Sequence, residues 1–288
     1  MSSKILNGKI IANKIIERIK KKIKIEISNS NRKPKLSVIW IGNNASSKIY
    51  IQKKKLACIQ AGIEYQEYNF KQNTEEKKIL NLIQEMNQNK TIDGILVQLP
   101  LPKNININKI ITSIHPKKDV DGFHPYNIGC LCIKSPKLRP CTSRGVITLL
   151  KEYNIKMHGL NALIIGASNI VGRPMNLELL LAGCTTTVAH RFTKNLNEYI
   201  KKSDLIVIAI GKPNFLKGKD IKLGAIIIDV GINKIKIKNQ IVGDVEFEST
   251  VLKASYITPV PGGVGPMTVA TLLKNTLEAY QNKYQYPI

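Results

Sequence analysis

The sequence predicts an α/β fold in two domains, each built on a parallel sheet. Three observations carry that prediction. Short apolar runs alternate with segments of helical period along most of the chain, as in sheets covered by helices. One stretch, Ala162–Arg191, reads without interruption as strand, glycine turn, helix and strand. The length of 288 residues is enough to fill two hydrophobic cores.

The first element is a helix over Gly8–Ile27, where Ile11, Ile15, Ile16, Ile19 and Ile23 recur at helical spacing with lysines opposite. Such a helix can lie on a membrane or set its isoleucine stripe on a sheet, and the second is expected. Leu36–Ile41 follows as a strand, Ala45–Gln60 as a helix closed by Gly62, Tyr65–Phe70 as a strand, Thr74–Asn89 as a helix and Gly94–Leu99 as a strand. On the second helix Tyr50 and Lys54 are four apart and share a face, whereas Lys53 and Lys55 point roughly 100° to either side. Beside a cleft this is an acid–base pair; on an open face it is only solvated. The run GILVQLPLP puts a polar Gln98 at the end of an apolar strand. A buried amide needs partners, and the carboxyl end of a strand is where α/β sites are built. In PKKDVDGFHPYNIG, Asp119 and Asp121 precede Gly122. They either turn the chain or accept N–H groups of a ligand.

In the second half, Ala162–Ile165 is a buried strand ending at Gly166, and the apolar helix beyond it stops at Gly183, with Pro174 suited to a first helical position. Thr185–Ala189, Leu205–Ile210 and Ala225–Val230 are the next strands, as in a Rossmann-like half extended by further strands. The free N–H groups at such a helix N-terminus hold a pyrophosphate. The glycine spacing departs from G-x-G-x-x-G: Gly166 and Gly172 are present, Ala167 follows the first, and Ser168 replaces the middle glycine. On the motif alone, a turn of some other α/β fold stays open. The end of the next strand discriminates further. An NAD site places a carboxylate there and an NADP site a cation. Here Arg191 lies 25 residues beyond Gly166, beside His190 and with no carboxylate nearby, which predicts NADP; a solvated loop arginine is the alternative. The turns Gly211–Pro213 and Gly231–Asn233, the latter containing Ile232, fall on the same cofactor side. TPVPGGVGPMT, with Gly262 and Gly263, is too rich in Gly and Pro for regular structure, and a helix over Met267–Tyr280 follows.

Lys+Arg number 44 against Asp+Glu 20, a formal net charge of +24. Read literally, this points to nucleic acid or an anionic membrane. The lysines are nevertheless spread from end to end among many Ile and Asn residues, all three encoded by A/T-rich codons. There is no clustered patch, no recognition motif and a single tryptophan, Trp40. Neither nucleic acid nor membrane is therefore expected as a partner, and no apolar run is long enough to span a bilayer. The five cysteines form no CxxC pair and no His stands at ligand spacing, so a reduced, cytoplasmic protein without a metal is expected.

The motifs ASSKIYIQKKK, GILVQLPLP, KKDVDGFHPYNIG, RPCTSRGVITLL, IIGASNIVGRP, IIDVGIN, GDV and ITPVPGGVGPMTVATLL resemble, in order and spacing, those of the bifunctional methylenetetrahydrofolate dehydrogenase/methenyltetrahydrofolate cyclohydrolases. The resemblance implies a folate-binding catalytic domain over 1–138, a Rossmann-like NADP-binding domain over 139–266, and a C-terminal helix over 267–288 returning to the first domain. It implies oxidation of 5,10-methylenetetrahydrofolate with NADP and hydrolysis of the methenyl product, a dehydrogenase alone being the alternative. It also implies roles: Lys54 essential to the hydrolysis, Gln98 bonding that lysine, Tyr50 along the folate and Asp121 on the pterin. Gly166, Ala167, Ser168, Arg191 and Ile232 are implied on the cofactor, Gly262 and Gly263 in the loop between the two sites, and a homodimer through the cofactor domain. Ser143 departs from the second proline common in relatives, which implies a less rigid linker.

Overall fold

The computed structural model describes residues 4–30, 32–235 and 240–282. It divides into two compact units. One combines the segment ending at Ala12 with Thr142–Thr268, and the other combines Asn13–Cys141 with the segment from Val269 onward.

The chain begins with β1 (Lys4–Ile5) and α1 (Gly8–Ser30). The stripe read from the sequence is buried: Ile11, Ile15, Ile16, Ile19 and Ile23 are all at most 7% exposed, while Lys14, Lys21, Lys22 and Lys24 face solvent. A helix that buries its apolar stripe within the protein is not a membrane-surface helix, and among the described residues no helix is long and apolar enough to cross a membrane.

The next elements are β2 (Lys35–Ile41), α2 (Ala45–Ala61), β3 (Glu64–Phe70), α3 (Glu76–Gln88), β4 (Gly94–Val97), α4 (Ile107–Ser113) and α5 (Pro125–Cys132). Their three strands form a parallel sheet in the order β3-β2-β4. Central β2 is buried on both faces from Leu36 onward, as expected of a strand that is apolar except for Ser37. Ile79, Ile83 and Met86 of α3 join Ile110 of α4 and Ile39, Ile95 and Val97 of the sheet in one core. Each fully buried side chain of this size contributes about 1.5–3 kcal/mol. Helix α3 starts two residues later than its expected Thr74, because Glu75 still has extended backbone (φ −65°, ψ 138°) and serves as its N-cap. The ladder of β4 ends at Val97 rather than Leu99, and Gln98 keeps one backbone bond, from its N–H to Ile39 O at 2.8 Å.

The remaining elements are α6 (Cys141–Glu152), β5 (Asn161–Ile165), α7 (Gly172–Leu181), β6 (Thr185–Ala189), α8 (Leu196–Lys202), β7 (Leu205–Ile208), β8 (Ile226–Asp229), the antiparallel pair β9 (Asn233–Ile235) and β10 (Gln240–Val242), α9 (Phe247–Thr250), β11 (Tyr256–Ile257) and α10 (Val264–Tyr280). Six strands form a parallel sheet ordered β1-β11-β8-β7-β5-β6. Two readings shift here. The stretch holding Ser143 is not a linker but the first turn of α6, with Ser143 fully buried. Helix α10 starts at Val264, three residues before Met267, because a proline in the first turn, Pro266, removes only an N–H that has no partner inside the helix.

Both sheets share one topology. β2 has the next strand, β3, on one side and β4 on the other, and β5 likewise has β6 on one side and β7 on the other, so the order in which strands are added reverses beside β2 and beside β5. Such switch points open a crevice at the carboxyl ends of the strands.

Candidate active site

Helix α2 turns Lys54 inward and leaves Lys53 and Lys55 exposed, which separates three consecutive lysines by burial. The Lys54 Nζ donates to Gln98 Oε1 at 2.9 Å. Gln98 Nε2 donates to Leu99 O at 2.7 Å, so the amide can present only its oxygen to the lysine. One turn before Lys54, the half-buried Tyr50 has its phenol pushed up by burial, and Lys53 Nζ lies 5.9 Å from its ring centre. One turn after, the Cys58 thiol is pushed up to about 12 by burial, against the pull of Lys54. It is therefore a neutral wall of the site rather than a thiolate.

The two aspartates divide the options left open by the sequence. Asp119 is buried and accepts from Gly122 N at 3.1 Å, His124 N at 2.8 Å and Asn127 Nδ2 at 2.9 Å. It shapes the loop. Asp121 is half-buried, and burial lifts its carboxyl to about 6; Lys54 pulls it down, Asp119 pushes it up and a hydrogen bond with Cys141 pulls it down. Lys54, Gln98 and Asp121 therefore lie within one unit as neighbouring groups. Asn275 of α10, not singled out in the sequence, donates to Val120 O and to Arg139 O, both at 2.8 Å, and so fixes the backbone on either side of Asp121 and Cys141. The available signal was an amide at a fully buried position of an apolar helix.

In the six-stranded unit, Gly166 has φ +120° and its N–H bonds Ala189 O at 2.9 Å. A Cβ at Gly166 would meet Ala209 O at 2.4 Å, and one at Gly172 would meet Gly166 O at 1.9 Å. Only glycines allow the turn to close this tightly against the start of α7, which leaves a cradle bounded by backbone. Ser168, in the middle-glycine place, closes the turn before α7: its Oγ accepts from Val171 N at 3.1 Å and Gly172 N at 3.4 Å. Arg173 Nε donates to Ala167 O at 3.3 Å. Exposed Arg191, at the carboxyl end of β6, stacks its guanidinium 4.6 Å from the Phe192 ring centre. Ile232 is 49% exposed at the carboxyl end of β8. A backbone cradle at a helix N-terminus, with a cation and no carboxylate at the next strand end, fits a dinucleotide carrying an extra phosphate. Gly262 O accepts from Lys9 N at 2.9 Å, and Gly263 is buried in the same loop.

A nucleotide cradle on one parallel sheet, together with a buried amine, amide and carboxyl set on another, defines a pyridine-nucleotide oxidoreductase that also carries acid–base chemistry. The family model described as tetrahydrofolate dehydrogenase/cyclohydrolase, catalytic domain, matches residues 6–121, and the one described as its NAD(P)-binding domain matches 140–284. The chain belongs to the tetrahydrofolate dehydrogenase/cyclohydrolase family, and it is an enzyme of one-carbon folate metabolism. Among solved structures it is similar to the bifunctional methylenetetrahydrofolate dehydrogenase/cyclohydrolase of Campylobacter jejuni, at 45% identity and TM-score 0.95 over 98% of this chain and 100% of that one. It is similar at 34% identity and TM-score 0.90 to the bifunctional enzyme of Thermoplasma acidophilum, over 97% and 99%. The Trypanosoma brucei dehydrogenase-cyclohydrolase, solved with NADP cofactor and an inhibitor, is similar at 32% identity and TM-score 0.94 over 98% and 99%.

Proposed function

We propose that the chain oxidises 5,10-methylenetetrahydrofolate to the 5,10-methenyl cation with NADP and hydrolyses that cation to 10-formyltetrahydrofolate, with Lys54 as the proton-transfer group of the second step. The observation that carries the assignment is the buried Lys54 amine held 2.9 Å from Gln98 Oε1 beside Asp121. NADP, held by the backbone of Gly166, Ala167 and Ser168 and by Arg191, would supply the hydride acceptor for the methylene carbon. The nitrogen lone pair then closes an amidinium. Water adds its oxygen to the amidinium carbon, and Lys54 takes the proton that water loses. As the carbon–nitrogen bond on the N5 side breaks, the Lys54 ammonium returns its proton to that nitrogen, and the remaining hydroxyl proton leaves to solvent as the formyl C=O forms. Gln98 keeps the amine aimed, Tyr50 supports the folate ring, and the Asp121 carboxylate accepts pterin N–H groups.

On the cofactor, Gly166, Ala167 and Ser168 supply backbone at the α7 N-terminus, Arg191 pairs with the 2′-phosphate, and the backbone at Ile232 completes the site. Gly262 and Gly263 let the chain approach the folate. The division into domains at 138 and 266, with the last helix serving the catalytic domain, belongs to the same proposal, as do a homodimer and a cytoplasmic site of action. The unpaired outer edge of β6 supports a dimer, since a second copy can cover it. Five free cysteines among the described residues support a reducing compartment.

The test follows cofactor reduction and the methenyl species separately. Purified protein with methylenetetrahydrofolate should reduce NADP in preference to NAD and should not accumulate the methenyl cation. Lys54→Met and Lys54→Gln should lose cyclohydrolase turnover by about a hundredfold or more. Full cyclohydrolase turnover in either variant would remove Lys54 from the mechanism.

A further inference from the structure

Two carboxylates on the nucleotide side take no part in the chemistry above. Asp229 ends β8 and Asp244 follows β10, and they are 3% and 0% exposed. Asp229 Oδ1 accepts from Gly231 N at 2.9 Å and from Asp244 N at 3.0 Å, and its Oδ2 from Val245 N at 2.9 Å. Asp244 Oδ2 accepts from Ile210 N at 2.7 Å and Gly211 N at 3.0 Å, while its Oδ1 accepts from Asn233 Nδ2 at 2.8 Å. All these donors are neutral. A pair of buried acids held without a cation is costly unless its lone pairs are used, and burial accordingly lifts Asp229 to about 6.

The placement of the donors shows what the pair accomplishes. Ile210 and Gly211 follow β7, whereas Gly231 and Asn233 follow β8. The Asp244 carboxylate therefore ties two successive carboxyl-end loops together. The approach is so close that a Cβ at Gly231 would lie 2.3 Å from that carboxyl group. Ile232 sits between two anchored residues, Gly231 and Asn233, and its own side chain remains half exposed.

We propose that Asp244 is a positioning residue for the dinucleotide: by bonding Gly211 and Asn233 at once, it presets the backbone at Gly211 and Ile232 that receives the cofactor. This inference rests on the assignment of NADP to this unit. In Asp244→Asn the charged acceptor is lost, and the carbonyl oxygen can serve the two loop amides only with the new NH₂ turned toward Asn233, which must then reverse its amide and rebuild the tie with neutral groups. The exchange Asn233→Asp/Asp244→Asn restores the match, because the new amide can donate to the new carboxylate and still accept from Ile210 and Gly211.

Calorimetric titration of NADP into the full chain tests this, alongside cyclohydrolase turnover of methenyltetrahydrofolate, which consumes no cofactor. Asp244→Asn should raise the NADP Kd about tenfold or more and raise KM for NADP in parallel, with cyclohydrolase turnover kept. The exchange variant should return the Kd to within about threefold of wild type. An unchanged Kd in Asp244→Asn, or an exchange variant no better than the single one, would overturn the proposal. If Asp244→Asn does not fold, Asn233→Ala reads the same tie: a weaker Kd supports it and an unchanged one overturns it. Failure of the wild type to bind NADP would instead overturn the functional assignment itself.

Discussion

At the scale of single residues, burial separates groups that look alike in the sequence. Lys53, Lys54 and Lys55 are chemically identical, yet only Lys54 is withdrawn from solvent and aimed at an amide oxygen. That was legible from helical geometry once Tyr50 marked the face. The division between Asp119 and Asp121 was not, because both stand in one turn and only the folded loop shows that Asp119 uses its oxygens on Gly122, His124 and Asn127. On the proposed assignment Asp121 binds the pterin, and its carboxyl, lifted to about 6, then sets a pH signature. Below that value it is protonated and loses acceptor strength toward pterin N–H groups, so KM for the folate should rise as pH falls through about 6. Asp121→Asn should flatten that limb of the KM profile; an unaltered limb would assign the titration to another group.

Among the elements, the legible ones were those whose burial is continuous. β2, β5, β7 and β8 appear in the sequence as largely apolar runs, interrupted only by Ser37 or bounded by Asn161 and Asp229, because both of their faces are covered. β1 and β11 were illegible, since two residues carry no period and their pairing depends on partners far along the chain. Asp229 escaped notice for a related reason. As the polar end of the run IIID it has the same signature as Gln98, but its six-donor partnership with Asp244 exists only after β8 and β10 come together. Packing of the isoleucine stripe of α1 supports its own prediction. Ile23, 1% exposed and in contact with the Gly62 position, should lose about 2–5 kcal/mol of stability as Ile23→Ala. Ile25, 65% exposed on the same helix, should change little when replaced in the same way. Denaturant unfolding of the two variants measures the contrast, and equal losses would mean that the stripe is not what anchors the helix.

For the whole molecule the dominant quantity is the net charge of +24. A chain with 44 cations against 20 acidic groups repels itself, and the described ion pairs, such as Arg32 with Asp93 and Lys222 with Asp204, neutralise little of it. Ions screen that repulsion over a Debye length of about 8 Å at 0.15 M salt. The thermal midpoint should therefore rise from low salt to moderate KCl, while the on-rate of the anionic cofactor falls as its attraction is screened too. A midpoint that drops with salt would mean that favourable pairs outweigh the repulsion. The strand β1 carries a different consequence. Its partner in the six-stranded sheet is β11, with Lys4 beside Tyr256, so β1 is made well before the strand it pairs with. During synthesis β1 stays unpaired until β11 has been made, a non-local pairing that comes late in folding. In the cell, the yield of this enzyme is thereby tied to whatever shelters a nascent chain in that interval.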